Sequence, residues 1–255
     1  MNRAKLLEFF DATTVKDTIT IIGVGAVGSH IATTLARLGF EVVHLYDFDK
    51  VEAHNITNQN YDQEDIGLPK VSACAKHMRA INPDMRVVEH DHAFEIRMCD
   101  TLAGHVFLCV DNIDLRRDIT QTLTFNPQIK SIQDYRMRLT DAQYYFATEM
   151  WERNKLLQTM NYTHEEAAET TPHSACGYEL SVVYTIQFVV AAGIANWIMF
   201  LLGKEEWLNI ILTDSVPADC VKIKWKKKTL EERLKRELKS LGIAAERSEA
   251  QYTQL

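Results

Sequence analysis

The stretch Thr18-Ile19-Thr20-Ile21-Ile22-Gly23-Val24-Gly25-Ala26-Val27-Gly28 decides how the rest of the chain is read. Its β-branched run reads as a buried strand. Ser29 to Leu38 follows with a helical pattern. Gly23, Gly25 and Gly28 make a G-x-G-x-x-G motif between that strand and that helix, the context the motif needs. The first glycine permits the tight turn, the second lets backbone N–H groups approach a phosphate, and the third lets helix and strand pack closely. The helix N-terminus, with free N–H donors and partial positive charge, suits a nucleotide phosphate. A second strand, Glu41 to Tyr46, ends at Asp47, an acid about 20 residues past the glycines that suits a ribose hydroxyl.

Those elements describe a Rossmann-type nucleotide-binding domain, for which a nicotinamide dehydrogenase is the default reading. The following residues shift it. Asp47-Phe48-Asp49-Lys50-Val51 leads to Asn55, then Asn58-Gln59-Asn60, then Asp65-Ile66-Gly67-Leu68-Pro69-Lys70. Hydride transfer has no use for an amide-rich loop ending in a lysine. An ATP-splitting site does, because the Lys70 charge holds phosphates and offsets charge that builds on them during attack at the α-phosphorus.

Of the 255 residues, 46% are hydrophobic and 25% charged, which suits one sizeable α/β domain or one domain plus an appendage. The division expected is residues 1–228 as the nucleotide-binding domain and 229–255 as a C-terminal helix and tail. A formal charge of −7 argues against a nucleic-acid partner. Between Val221 and Lys239, nine Lys and Arg face three Glu, a basic face that is solvated or docks an acidic partner. Five cysteines at no framework spacing read as reduced thiols, and the first residues lack an apolar signal core, so a cytoplasmic location is expected. Ser181 to Leu202 is nearly continuous apolar sequence, long enough to span a bilayer. A helix buried all round in a large α/β protein or a dimer interface has the same composition, and that reading is preferred.

In chain order, Arg3 to Phe10 reads as a short helix, Pro69 to Ala80 as a helix closed by Asn82-Pro83, and Met85 to His90 as a strand. Phe94 to Leu102 reads as a helix and His105 to Val110 as a buried strand ending at Asp111-Asn112. Ile113 to Leu123 is the next helix and Ile129 to Ile132 the next strand. This alternation predicts a doubly wound, mostly parallel sheet, with ligands at the carboxyl ends of its strands. The glycine loop, Asp47 and Asp111 all fall at such ends. Met137 to Thr148 reads as a strand or hairpin, and Glu149 to Ser174 as a long polar irregular loop of the functional or mobile kind. Leu208 to Leu212 and Val221 to Trp225 read as an antiparallel hairpin. Thr229 with Glu232 is a capping box opening a last helix.

Taken in order, Gly23 to Gly28, Asp47-Phe48-Asp49, Asn55, Gln59, Ile66 to Lys70, Ile81-Asn82-Pro83 and Cys109-Val110-Asp111-Asn112 with Arg116 resemble the ubiquitin-activating-enzyme-like adenylyltransferases, the ThiF–MoeB–HesA group. That group includes the molybdopterin-synthase and thiamine-biosynthesis sulfur-carrier adenylyltransferases. The resemblance implies an enzyme that uses ATP and Mg2+ to adenylate the C-terminal glycine of a ubiquitin-like or sulfur-carrier protein. It implies a homodimer, with a conjugating enzyme as a further partner. It also implies a nucleotide site of Gly23, Gly25, Gly28, Asp47, Asp49, Asn55, Asn58, Gln59 and Lys70. There Asp47 takes the ribose, Asn55 and Lys70 address the phosphates, and Asp111 lies near the metal, for which a hard carboxylate oxygen is the expected ligand.

The chain departs from the group at three places. Asn58 stands where the group has an arginine, and an amide lacks the charge and the bidentate fork. The N-terminal arginine stretch of the group is missing, with Arg3 the nearest candidate. No pair of C-x-x-C motifs exists, so no structural zinc is expected. Ser174-Ala175-Cys176-Gly177 lies just before the long apolar helix, where thioester-forming members carry their cysteine, most like the small homodimeric activators of a ubiquitin-fold modifier. Cys176 is therefore either a nucleophile activated at a helix N-terminus or a small core thiol. His173 is a candidate assistant. Cys74, Cys99, Cys109 and Cys220 are read as packing residues, and His90 and His92 as solvent-facing. A catalytically weak nucleotide-binding scaffold of a conjugation or sulfur-transfer complex is the alternative of a different class.

Overall fold

The computed structural model describes residues 1–177, 179–214 and 219–224. Five parallel strands open the order: β1 (Ile19–Ile22), β2 (Val42–Asp47), β3 (Arg86–Asp91), β4 (Gly104–Leu108) and β5 (Ile129–Arg138). Three antiparallel strands follow, β6 (Asp141–Ala147), β7 (Ile210–Asp214) and β8 (Asp219–Ile223). They form one 8-stranded sheet in the order β3-β2-β1-β4-β5-β6-β7-β8. The α/β doubly wound class and the late antiparallel hairpin are as the sequence predicts. The helix expected from Thr229 lies outside the described residues.

Side-chain alternation explains the layering. Ile19, Ile21, Val43, Leu45, Phe107 and Tyr135 point to one face, where they pack with α1 (Ala26–Leu38), α2 (Lys70–Ile81) and α6 (Val183–Leu201). Trp197 of α6 stacks on Phe40 at 5.1 Å and meets Phe107 edge-on at 5.2 Å. On the opposite face α3 (Ile113–Leu123) packs with α4 (Met150–Gln158).

Four expectations need correction. Arg3 to Phe10 forms successive turns, not a helix, with Leu6 and Leu7 N–H bonded to Arg3 O and Phe9 and Phe10 N–H to Leu6 O. Arg3 is pulled to Asp11 at 2.9 Å, while Phe10 buries against Phe40. Between β3 and β4 there is only a 3-10 helix, Ile96–Thr101. Six residues are too few for a cooperative α-helix. The polar stretch from Glu149 holds two helices, α4 and α5 (His164–Thr170). Their apolar period is invisible because α4 buries Glu152 and Arg153 on its inner side. Arg153 donates to the carbonyls of Leu123, Thr124, Asn126, Ile129 and Thr148, and so closes the C-terminal end of α3. Finally, α6 is not buried all round. It is long and apolar enough to cross a membrane, but Ile186, Val189, Gly193, Ile194 and Trp197 face the core while Tyr184, Gln187, Ala191 and Ala195 are exposed.

Candidate active site

The strand order turns back between β1 and β4, and ligands of doubly wound sheets bind at that switch point. A cavity of about 580 Å3 lies there, floored by the ends of β1, β2, β4 and β5. One of its walls is the glycine loop. A Cβ on Gly28 would sit 1.9 Å from the carbonyl oxygen of Gly23, so only glycine lets α1 start this close to β1. A Cβ on Gly25 would meet nothing nearer than Gln59 Nε2 at 3.9 Å, which leaves this backbone open to a ligand.

Asp47 holds the loop to the end of β2. Its Oδ2 accepts the Val24 N–H at 2.8 Å and its Oδ1 accepts the Asp49 N–H at 2.9 Å. Burial raises the Asp47 pKa, against the opposing pull of the Asp49 N–H, the Lys70 charge and the Val24 N–H. Lys70 is the first residue of α2. Its Nζ lies 2.8 Å from Asp49 Oδ2 and its N–H donates to Asp49 O at 2.8 Å. With 8% of its surface exposed, this ammonium group is aimed into the cavity wall rather than out to water. Asn55 is buried and accepts the Glu52 N–H at its Oδ1 in a capping box, which leaves its NH2 group to donate. Asn58 donates its Nδ2 to Ser181 Oγ, while Asn58 Oδ1 and Gln59 Oε1 are buried without partners. Asp111 is exposed at the rim beyond β4, one residue before Asn112, whose Oδ1 caps α3 at Leu115 N–H. Arg116 is buried and committed to Asp134 and to the carbonyls of Leu108 and Tyr135, so it organises the floor.

The sequence reading missed the opposite wall. Arg136 donates to Asp134 at 2.6 Å and to Thr159 O and Oγ1, both at 2.9 Å, and lies 4.5 Å over the Tyr145 ring. Arg138, Tyr162 and His164 complete that wall, and Tyr135 lies beneath. Tyr135 Oη and His164 Nδ1 are buried without partners. The i, i+2 spacing of Arg136 and Arg138 in β5 was the available signal. Three buried polar atoms without partners therefore belong to side chains lining one cavity, those of Asn58, Gln59 and His164, whereas Tyr135 Oη is turned to Gly193 of α6 in the core. Such groups are costly unless water or a polar ligand satisfies them.

Cys176 is brought neither into this cavity nor to a helix N-terminus. It is exposed near the tip of a small loop closed by the His173–Glu179 bridge and by Leu180 N–H on Pro172 O, whereas α6 starts only at Val183. The basis for thiol activation by that helix is thus lost. His173 serves the base of the same loop. Cys74 and Cys99 are buried as expected, while Cys109 is half-buried and touches the cavity. Burial pushes the Cys99 thiol up to about 11 and the Cys109 thiol up to about 12. The Cys220 side chain lies outside the described residues. His90 is half-buried, with Nε2 3.2 Å from His44 Nδ1.

Ubiquitin-like modifier-activating enzyme 5 of Drosophila persimilis is 36% identical over 119 residues, covering 40% of this chain and 30% of that protein. The Drosophila virilis enzyme is 39% identical over 123 residues, covering 42% of this chain and 31% of that protein. The match thus spans less than a third of the length of these curated relatives. Among solved structures, the microcin C7 biosynthetic enzyme MccB with N-formylated MccA superposes with a TM-score of 0.68 at 16% identity, over 84% of this chain and 66% of that one. E. coli MccB with ATP gives 0.66 at 15% identity, over 84% of this chain and 65% of that one. At these identities the structures share the fold. The model of the ThiF family matches residues 12–233, a span that contains the glycine loop, Lys70 and the two walls, and the chain belongs to that family.

Proposed function

We propose that this chain is an ATP-dependent adenylyltransferase that activates the C-terminal carboxylate of a ubiquitin-like or sulfur-carrier protein as an acyl-adenylate. The observation that carries the reading is the cavity at the β1–β4 switch point, whose lining brings together the open glycine loop, the pinned Lys70 and the residues of three partnerless polar atoms, Asn58, Gln59 and His164. The substrate carboxylate attacks the α-phosphorus, the bond to the β-phosphate oxygen breaks, and pyrophosphate leaves. Two anions must meet, and Lys70 with the Arg136 wall offsets their repulsion. Asp111 fits Mg2+: it is an exposed carboxylate beside the cavity with no hydrogen-bond or ion-pair partner among the described residues. Mg2+ held there would neutralise phosphate charge and favour departure of pyrophosphate. We place the enzyme in a homodimer, for which the exposed Tyr184–Ala191–Ala195 side of α6 is the supporting surface. Transfer to Cys176 and on to a conjugating enzyme would require its loop to swing to the cavity.

Calorimetric titration with ATP–Mg2+ and separately with NAD, on wild type and Lys70→Ala, tests the reading. ATP binding weakened tenfold or more by Lys70→Ala supports it. NAD binding without ATP binding overturns it in favour of a dehydrogenase. One observation favours a second reading, a catalytically weak scaffold: Asn58 occupies the arginine position, and its Nδ2 is turned to Ser181. ATP binding without carrier-dependent pyrophosphate exchange would establish the scaffold.

A further inference from the structure

We propose that Asn58 is a positioning residue that clasps the segment between α5 and α6 across the mouth of the nucleotide cavity, and that its amide transmits phosphate occupancy to that segment. Asn58 is held from two sides. Its N–H bonds Asn55 O at 3.2 Å at the end of the 3-10 helix Ala53–Thr57, and its carbonyl oxygen lies 3.3 Å from His30 Nε2 on α1. From that fixed point its Nδ2 reaches Ser181 Oγ, a partner far along the chain, while its Oδ1 is buried without a partner. Asn58 and Ser181 both line the cavity. Ser181 is anchored a second time by a parallel bridge to Leu139, which turns the β5–β6 hairpin at a φ of 35°. On its N-terminal side the segment is closed by Leu180 N–H on Pro172 O at 2.8 Å.

The chemistry of the two side chains makes this clasp responsive. A hydroxyl both donates and accepts, and an amide has one donor end and one acceptor end. With NH2 toward Ser181, the amide oxygen is buried at the cavity lining without a donor. A phosphate oxygen arriving there needs a donor. A half-turn of the amide supplies NH2 to the phosphate and leaves Oδ1 to accept the Ser181 hydroxyl proton. The clasp then persists and gains a charge-assisted bond at its other end. An arginine, with donors only, could not accept from Ser181 in this way. The clasp stands on geometry alone, while its response to phosphate rests on the nucleotide reading above.

Hydrogen exchange of the full chain tests both parts, with Mg2+ and an ATP analogue whose α–β bridge does not hydrolyse as the probe. Without nucleotide, Asn58→Ala and Ser181→Ala should each speed exchange at Leu180 and Ser181 about fivefold, as expected for loss of one neutral hydrogen bond. The double variant should be no faster, and Ser181→Thr should restore the slow rate. Additive effects, or none, overturn the clasp. With the analogue bound, exchange should slow further in wild type and not in Ser181→Ala. Equal slowing in both overturns the phosphate response. Absence of any analogue binding by calorimetry overturns the nucleotide reading and the response with it, while the nucleotide-free variants still decide the clasp.

Discussion

Asp47 Oδ2 and the N–H of Val24 are 2.8 Å apart, so the acid at the end of β2 fastens the glycine loop before any ligand arrives. The same carboxylate takes the Asp49 N–H at 2.9 Å, and Asp49 in turn holds Lys70. One side chain thereby sets the positions of the loop and of the lysine. Asp47→Ala should cost about 1–3 kcal/mol of stability, because two N–H groups lose a charged acceptor. Asp47→Asn, which keeps one acceptor oxygen, should cost less. Urea unfolding of the three proteins decides the order. A variant as stable as wild type would leave Asp47 with a role in ligand contact alone.

The three glycines of the loop are not equivalent, and substitution should separate them. At Gly28 a Cβ would lie 1.9 Å from a backbone carbonyl oxygen that cannot move without displacing β1. Gly28→Ala should therefore be insoluble or melt far below wild type. At Gly25 the nearest atom is the far end of Gln59, at 3.9 Å. Gly25→Ala should fold with a melting curve near that of wild type and lose ATP affinity tenfold or more, since the methyl stands where phosphate would approach. Equal melting losses in both variants would contradict this division.

The glycine-side wall was legible in the sequence because it is made by local backbone geometry: a turn, a close helix–strand approach, and an acid and a lysine at the ends of short segments. The Arg136–His164 wall was not, because its residues earn meaning only through contacts between distant segments. Arg136 is held at the cavity by Asp134 and Thr159, and nothing in its neighbourhood along the chain says so. The helix α4 escaped notice because its buried side carries Glu152 and Arg153, which satisfy backbone groups instead of supplying an apolar stripe. For α5 a signal was present: Thr163 and Glu166 form a reciprocal capping box. The Asn58–Ser181 contact joins two residues that no local pattern connects.

Thiol chemistry should separate Cys176 from Cys74, Cys99 and Cys109. Cys176 is exposed, Cys74 and Cys99 are buried, and Cys109 is half-buried within the cavity. Burial raises the thiol pKa of all three of the latter, to about 11 for Cys99 and about 12 for Cys109. The thiolate is the reactive species. Brief alkylation of the native protein near pH 8, read by peptide mass spectrometry, should modify Cys176 at least tenfold faster than Cys74, Cys99 or Cys109. Rapid labelling of Cys109 would mean that the cavity floor opens more than this packing allows.

Asp65 gives the fold a defined sensitivity to acid. Its carboxylate is fully buried and accepts from Lys76 Nζ at 2.7 Å, His77 Nε2 at 2.5 Å and the Asp62 N–H at 2.8 Å. Burial alone would raise its pKa, but the bonds from the Asp62 N–H, Lys76 and His77 together bring it down to about 2, from an ordinary value of 3.8. The folded state therefore holds this proton less tightly than the unfolded chain. The resulting stability is complete above about pH 4 and is lost as pH falls toward about 2. Asp65→Asn should be about 1–3 kcal/mol less stable than wild type at pH 7, and the gap should narrow steadily between pH 4 and pH 2. A gap of constant size across that window would show that the carboxylate charge is not what holds Lys76 and His77 to the loop before α2.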